Sequence, residues 1–156
     1  VQVDVLEVSD ADFDPLPEDP TGRLHVLSHS WAAETASALR IRARGGASVT
    51  VAVAEPGPLI AMKLQSAIDR GTRKEATDLL DIVRLSTDRA CGATARAQLA
   101  AAGEVLRRDA VLHLDLFFDQ RVQRTSKLIR EVPEGRDAEL DDLVLVHELL
   151  SAALRN

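Results

Sequence analysis

The spacing of apolar residues changes once along this chain, near residue 55. Before that point the signal has a period of two. In VQVDVLEV (Val1–Val8) Val1, Val3 and Val5 alternate with Gln2 and Asp4, which predicts a β-strand with Asp4 on its polar side. Ser9–Gly22 is acidic and holds Pro15, Pro17 and Pro20, so it reads as a loop. Trp31, Ala32, Ala36 and Leu39 suggest a short helix over His29–Leu39. Leu39–Ala43 and Ser48–Ala54 flank Gly45-Gly46 and predict a hairpin.

After Glu55 the period becomes helical. Pro56 and Pro58 suit a helix start, where a missing N–H costs nothing. Helices are predicted over Leu59–Arg70, closed by Gly71, then over Arg73–Leu85 and the Ala-rich Ala93–Ala102. A single long helix is expected over Val105–Ile129. Pro133-Glu-Gly135 interrupts it, and Asp137 is placed to cap a last helix ending at Leu154. Leu143, Val146, Leu150 and Leu154 form an apolar stripe on that helix. The predicted class is α+β, with a β-rich portion over residues 1–54 and a helical portion over 55–156.

Composition narrows the class further. The 156 residues are 46% hydrophobic, enough for one compact domain with a real core. No apolar run approaches the ~18 residues of a membrane helix. The opening VQVDV has no Met, no basic leader and no small-residue cleavage site, so no signal peptide is expected, and the missing Met reads as a fragment. The single cysteine, Cys91, has no internal partner, which fits a reducing cytoplasm. A net charge of −6 argues against gripping nucleic acid over the whole surface. Charge is uneven, however. Residues 1–20 carry seven acids and no Lys or Arg, whereas Lys63, Arg70, Arg73 and Lys74 face only Asp69 between residues 63 and 74. A local cationic site of this kind suits a small polyanion.

The informative segment is EPGPLIAMKLQSAIDRGTRKEATDLLDIVRL, Glu55–Leu85. Lys63 and Arg70 lie seven apart, on one helix face and about 10 Å apart along it. Lys74, Asp78 and Asp81 follow i, i+4, i+7 on the next helix and share a face. With a tight turn between, the two polar stripes meet as three cations and two carboxylates. Such a cluster can hold a triphosphate, with the carboxylates orienting the cations. The spacing alone fits ordinary surface ion pairs better, each worth about a few tenths of a kcal/mol.

The elements P-L-I-A-x-K-L at Pro58–Leu64, the Arg seven residues beyond Lys63, and D-L-x-D-I-x-R-L at Asp78–Leu85 resemble the second half of the AbiEii/AbiGii toxin family. The resemblance covers roughly Val1–Leu85. It implies a small sheet from a polymerase-β-like nucleotidyltransferase fold, followed by a helical bundle. It further implies NTP-dependent nucleotidyl transfer with Mg²⁺ to an acceptor, tRNA or protein, and a cognate antitoxin. By the same resemblance Lys63, Asp78 and Asp81 carry functional roles, and Arg70 and Lys74 join Lys63 in contacting phosphate. Asp4 takes the place of a third metal carboxylate, although an outward Asp on an edge strand is as good a reading. The chain departs from the family in lacking the Gly-Ser…Asp-x-Asp motif ahead of Asp4, so the chain alone is expected to be inactive.

Other groups offer less. Asp10, Asp12 and Asp14 begin like a calcium loop, but Pro15 sits where Gly is needed. His25 and His29 lack a third ligand, and His113 and His147 fall on helical patterns as packing or surface residues. Cys91 reads as a structural thiol, and Trp31, Phe117 and Phe118 as core. The competing function is a non-catalytic helical module whose Leu143, Val146 and Leu150 contact a partner protein.

Overall fold

A computed structural model of the chain describes residues 15–69 and 72–156. The expected strand Val1–Val8, with Asp4, and Asp10, Asp12, Asp14 and Arg70 lie outside the described residues. The described fold is α+β and mostly helical: α1 (Pro20–Glu34), β1 (Ser37–Arg42), β2 (Ser48–Val53), α2 (Pro56–Asp69), α3 (Thr72–Thr87), α4 (Gly92–Ala101), α5 (Glu104–Asp115), α6 (Val122–Glu131) and α7 (Leu140–Leu154). None of the described helices is long and apolar enough to cross a membrane.

The first helix differs from the sequence reading in both its start and its end. It starts at Pro20, inside the stretch read as loop, because Asp19 and Pro20 form a cap and a first helical residue. The Asp19 carboxylate accepts the Gly22 N–H at 2.7 Å, and proline at N1 loses no bond. The helix stops at Glu34, and Ala38 and Leu39 pass into β1. Backbone pairing with β2 there outweighs the helical spacing of Ala36 and Leu39. The hairpin itself forms where its pattern predicts, with Leu39 opposite Val51 and Ile41 opposite Val49 in an antiparallel register. Gly46, at φ +87, supplies the left-handed residue of its turn.

Helices α1–α7 enclose one core of Leu24, Ile60, Leu64, Leu79, Leu114, Phe117, Leu143 and their neighbours. That core runs without interruption across position 54/55. Gly57 lets the start of α2 press onto α4, since a Cβ there would sit 2.6 Å from Gln98 Cβ. The amide of Gly57 donates to Gln98 Oε1 at 2.8 Å, and Gln98 in turn bonds Glu55, which also accepts from Ser37 at the base of the hairpin.

The long helix expected over Val105–Ile129 is two helices. α5 widens into a π turn over Leu116–Gln120, and Arg121 N–H reaches back five residues to the Leu116 carbonyl at 3.0 Å. The turn buries Phe117 and Phe118 together, and the Thr125 hydroxyl satisfies the Phe117 carbonyl at 2.7 Å. The last helix is capped by Glu139, not Asp137. Glu139 and Asp142 form a reciprocal capping box, whereas Asp137 precedes the helix by two residues more.

Candidate functional site

α2 and α3 run side by side, joined through residues 70 and 71. Lys63 and Ser66 are one turn apart on the α2 face that meets α3. α3 answers with Asp78 and Asp81, also one turn apart. The Lys63 ammonium lies 2.6 Å from Asp78 Oδ1 and 2.8 Å from Asp81 Oδ2. Ser66 donates its hydroxyl to Asp78 Oδ2 at 2.9 Å. Asp78 is only 2% exposed, yet both its oxygens are bonded, which is what a buried carboxylate requires.

Partial burial by itself would lower the pKa of Lys63. The bonds to Asp78 and then Asp81, with the charges of both, outweigh that effect and hold the ammonium above its ordinary value. Lys63 is therefore a fixed cation at neutral pH, not a base. An ammonium carries three N–H donors, and two are engaged by Asp78 and Asp81. The third can bond a ligand oxygen while the carboxylates hold the group in place.

The cluster lines a cleft of about 1020 Å³ between α1, α2 and α3. Its opposite wall is the α1 face bearing His25 and His29, whose rings are 4.1 Å apart between centroids. His25 Nδ1–H donates to Gln65 Oε1 at 3.2 Å, and His29 Nδ1–H to the His25 carbonyl at 2.7 Å. The start of α1 is fixed on α5 by partly buried polar bonds. Arg23 grips the fully buried Asp109 through Nε at 2.8 Å and Nη2 at 3.1 Å, and that bond raises the guanidinium pKa. Thr21 donates to His113 Nε2 at 3.1 Å, because His113 Nδ1–H is committed to the Asp109 carbonyl. One wall of the cleft is thus as firmly placed as the other.

No family model, no curated protein and no solved structure matches this chain. The site has to be read from its own geometry.

Of the five groups expected to converge, Lys63, Asp78 and Asp81 do. Arg70 lies outside the described residues. Lys74 is exposed and is not part of the cleft wall. It sits a turn ahead of Asp78, about 6 Å along α3. Among the described residues the polar cluster therefore joins one cation to two carboxylates, not three cations to two. Sequence reasoning missed Ser66 and Gln65, and it weighed His25 and His29 only as metal ligands. Ser66 was within reach, three residues from Lys63 on the same face. The four-residue spacing of the histidines was legible, but with the helix start set at His29 nothing placed both rings on one helix face toward the cleft.

The fit of magnesium is decided by the donor set. Two-metal transfer gathers three carboxylates around its ions. Asp78 and Asp81 are both turned to Lys63, and no group of three metal-ligating side chains is present among the described residues. The described residues do not form that centre, and Asp4 lies outside them.

The remaining candidates are structural. His147 Nε2 donates to Asp115 Oδ1 at 2.8 Å beside Arg155, joining α7 to α5. Burial, followed by Asp88, raises the Cys91 thiol pKa, as suits an unreactive cysteine. Phe117 and Phe118 are buried, and Trp31 packs against the core. Leu143, Val146 and Leu150 are fully buried, so the stripe considered as a partner-binding surface is internal core.

Proposed function

We propose that the cleft holds the phosphates of a nucleoside triphosphate, as part of nucleotidyl transfer of the AbiEii toxin type. The observation that carries this reading is the Lys63 ammonium, fixed by Asp78 and Asp81 at the wall of a cleft large enough for a nucleotide, with one N–H that meets no acceptor among the described residues. In this reading Lys63 contacts a phosphate oxygen. Asp78 and Ser66 position it, and Asp81 steadies it from the more open side. Arg70 adds charge for the phosphates, and Lys74 meets them only at the periphery. The acceptor is tRNA or a protein, and a cognate antitoxin accompanies the toxin. The magnesium that such a reaction uses, with Asp4 among its ligands, is left to residues outside the described set.

Binding is the step the described residues support, so binding is what to measure. Calorimetric titration of the chain with magnesium-bound ATP, GTP, CTP and UTP is expected to show saturable binding of at least one. Replacing Lys63 alone takes the ammonium from a buried carboxylate, so the informative variant is Lys63→Met with Asp78→Asn, in which Ser66 keeps a partner. Losing one charge-assisted bond of about 1.5–3 kcal/mol should weaken binding roughly 10- to 100-fold. Unchanged affinity in a folded double variant removes Lys63 from the site. No binding by the parent chain removes the nucleotide.

A further inference from the structure

The β1–β2 hairpin is the part of the fold that the helices leave uncovered. Every residue of β1 is exposed, and in β2 only Val51 is even partly covered. The register sorts its side chains into two unlike faces. Leu39, Ile41, Val49, Val51 and Val53 share one with Ser37 at its end, and Ala38, Arg40, Arg42, Ser48, Thr50 and Ala52 share the other. Leu39 is 52% exposed and Val49 57%, so a continuous aliphatic face meets water. An isolated two-stranded hairpin is marginal in water, and an aliphatic patch of this kind commonly marks a contact surface.

Charge indicates what kind of surface covers it. Residues 37–53 hold Arg40, Arg42 and Arg44 and no acid, in a chain whose net charge is −6. Arg40 is held across the strands by its bonds to Ser48 Oγ at 3.2 and 3.1 Å. Among the described residues the sheet has only two strands, so β1 keeps an unpaired edge with the arginines spaced along it. A second copy adding β1 to β1 would set arginine against arginine, which is repulsive. A nucleic acid would meet the arginines but leave the aliphatic face wet.

We infer that β1 is a docking edge for a partner protein, which adds a strand whose aliphatic residues alternate with Asp or Glu. Backbone bonds extend the sheet, the aliphatic residues continue the Leu39–Ile41 row, and the carboxylates fall beside Arg40 and Arg42. This surface is separate from the cleft and does not depend on what the cleft binds.

Hydrogen exchange on the full chain tests the inference with three probes: a short peptide alternating valine and glutamate, one alternating valine and lysine, and a single-stranded oligouridylate. The valine–glutamate peptide is expected to slow exchange of the β1 amides about tenfold or more, and the valine–lysine peptide to leave them unchanged. In the Arg40→Glu, Arg42→Glu variant the preference should reverse. In the Leu39→Ser, Ile41→Ser variant both peptides should lose their effect. All four substitutions are at exposed positions, and circular dichroism checks that the helices persist. Failure of the valine–glutamate peptide to protect the parent overturns the proposal, as does equal protection by the oligonucleotide. Protection of the outward-pointing β1 amides, those not bonded to β2, in the chain alone also overturns it. If that protection grows with concentration the occupant is a second copy, and if it is independent of concentration the chain covers its own edge.

Discussion

Two neighbouring regions of this molecule use the same kinds of residue to opposite ends. In the α2–α3 pair, Leu64, Leu79 and Ile82 are wholly buried and the charges Lys63 and Asp78 are paired to within 2.6 Å. In the hairpin, Leu39, Ile41 and Val49 stand in water and Arg40 and Arg42 face no acid within their own segment. The helix pair draws stability from burial and has to satisfy every polar group it buries. The hairpin has little to satisfy and little to lose. Residue type alone does not set energetic weight, because the weight depends on what surrounds the residue.

The comparison is broken most directly by making one substitution in both places. Leu64→Ala should cost about 3–5 kcal/mol through lost burial and a residual cavity, measured by urea unfolding. An equal cost for Leu39→Ala would mean that the hairpin is part of the same cooperative core.

The next effect concerns charge. Lys63→Ala should cost about 3 kcal/mol, mainly because the buried Asp78 loses the ammonium bonded to its Oδ1. Lys63→Met with Asp78→Asn should recover most of that loss in the same unfolding experiment. If the double variant is as unstable as the single one, the penalty lies in packing and not in the stranded carboxylate.

A pH titration sharpens the same point. The pKa of Lys63 is raised in the folded chain, so its contribution is fully present below the unfolded value of about 10.4 and is lost as pH rises through the folded value. The melting temperature of the parent should therefore fall faster than that of the double variant above about pH 10, while the two run parallel near neutrality. Parallel curves throughout would show that Lys63 is not held as described.

The smallest effects belong to the hairpin. Leu39→Ala should move the global unfolding free energy by less than about 0.5 kcal/mol. Gly46→Ala strains a left-handed position and costs the turn about 1 kcal/mol, but its effect should appear in exchange of the hairpin amides more than in global unfolding.

Much of this architecture was legible in the residues. The hairpin followed from alternating aliphatics around Gly45-Gly46, and α2, α3 and α4 from helical spacing bounded by Pro and Gly. The meeting of Lys63 with Asp78 and Asp81 was implied by two polar stripes on consecutive helices. What failed did so for local reasons. Proline density over Pro15–Pro20 suggested loop, although Asp19-Pro20 is a helix start. Nothing in LFFDQ announces a π turn, because the turn is a solution to burying two adjacent phenylalanines. Lys74 shares a heptad face with Asp78 and Asp81, but face membership does not say how far along a helix its neighbour reaches.

The sequence determined, by its own periodicity, the hairpin and helices α2, α3, α4 and α7, since those choices rest on contacts within a few residues. Only the tertiary structure decided that α1 closes a cleft over Lys63, that Arg23 reaches Asp109, and that the hairpin's aliphatic face is left outside. Those outcomes depend on packing between residues far apart in the chain. Each helix offers several faces, and its own sequence does not say which neighbour will cover which.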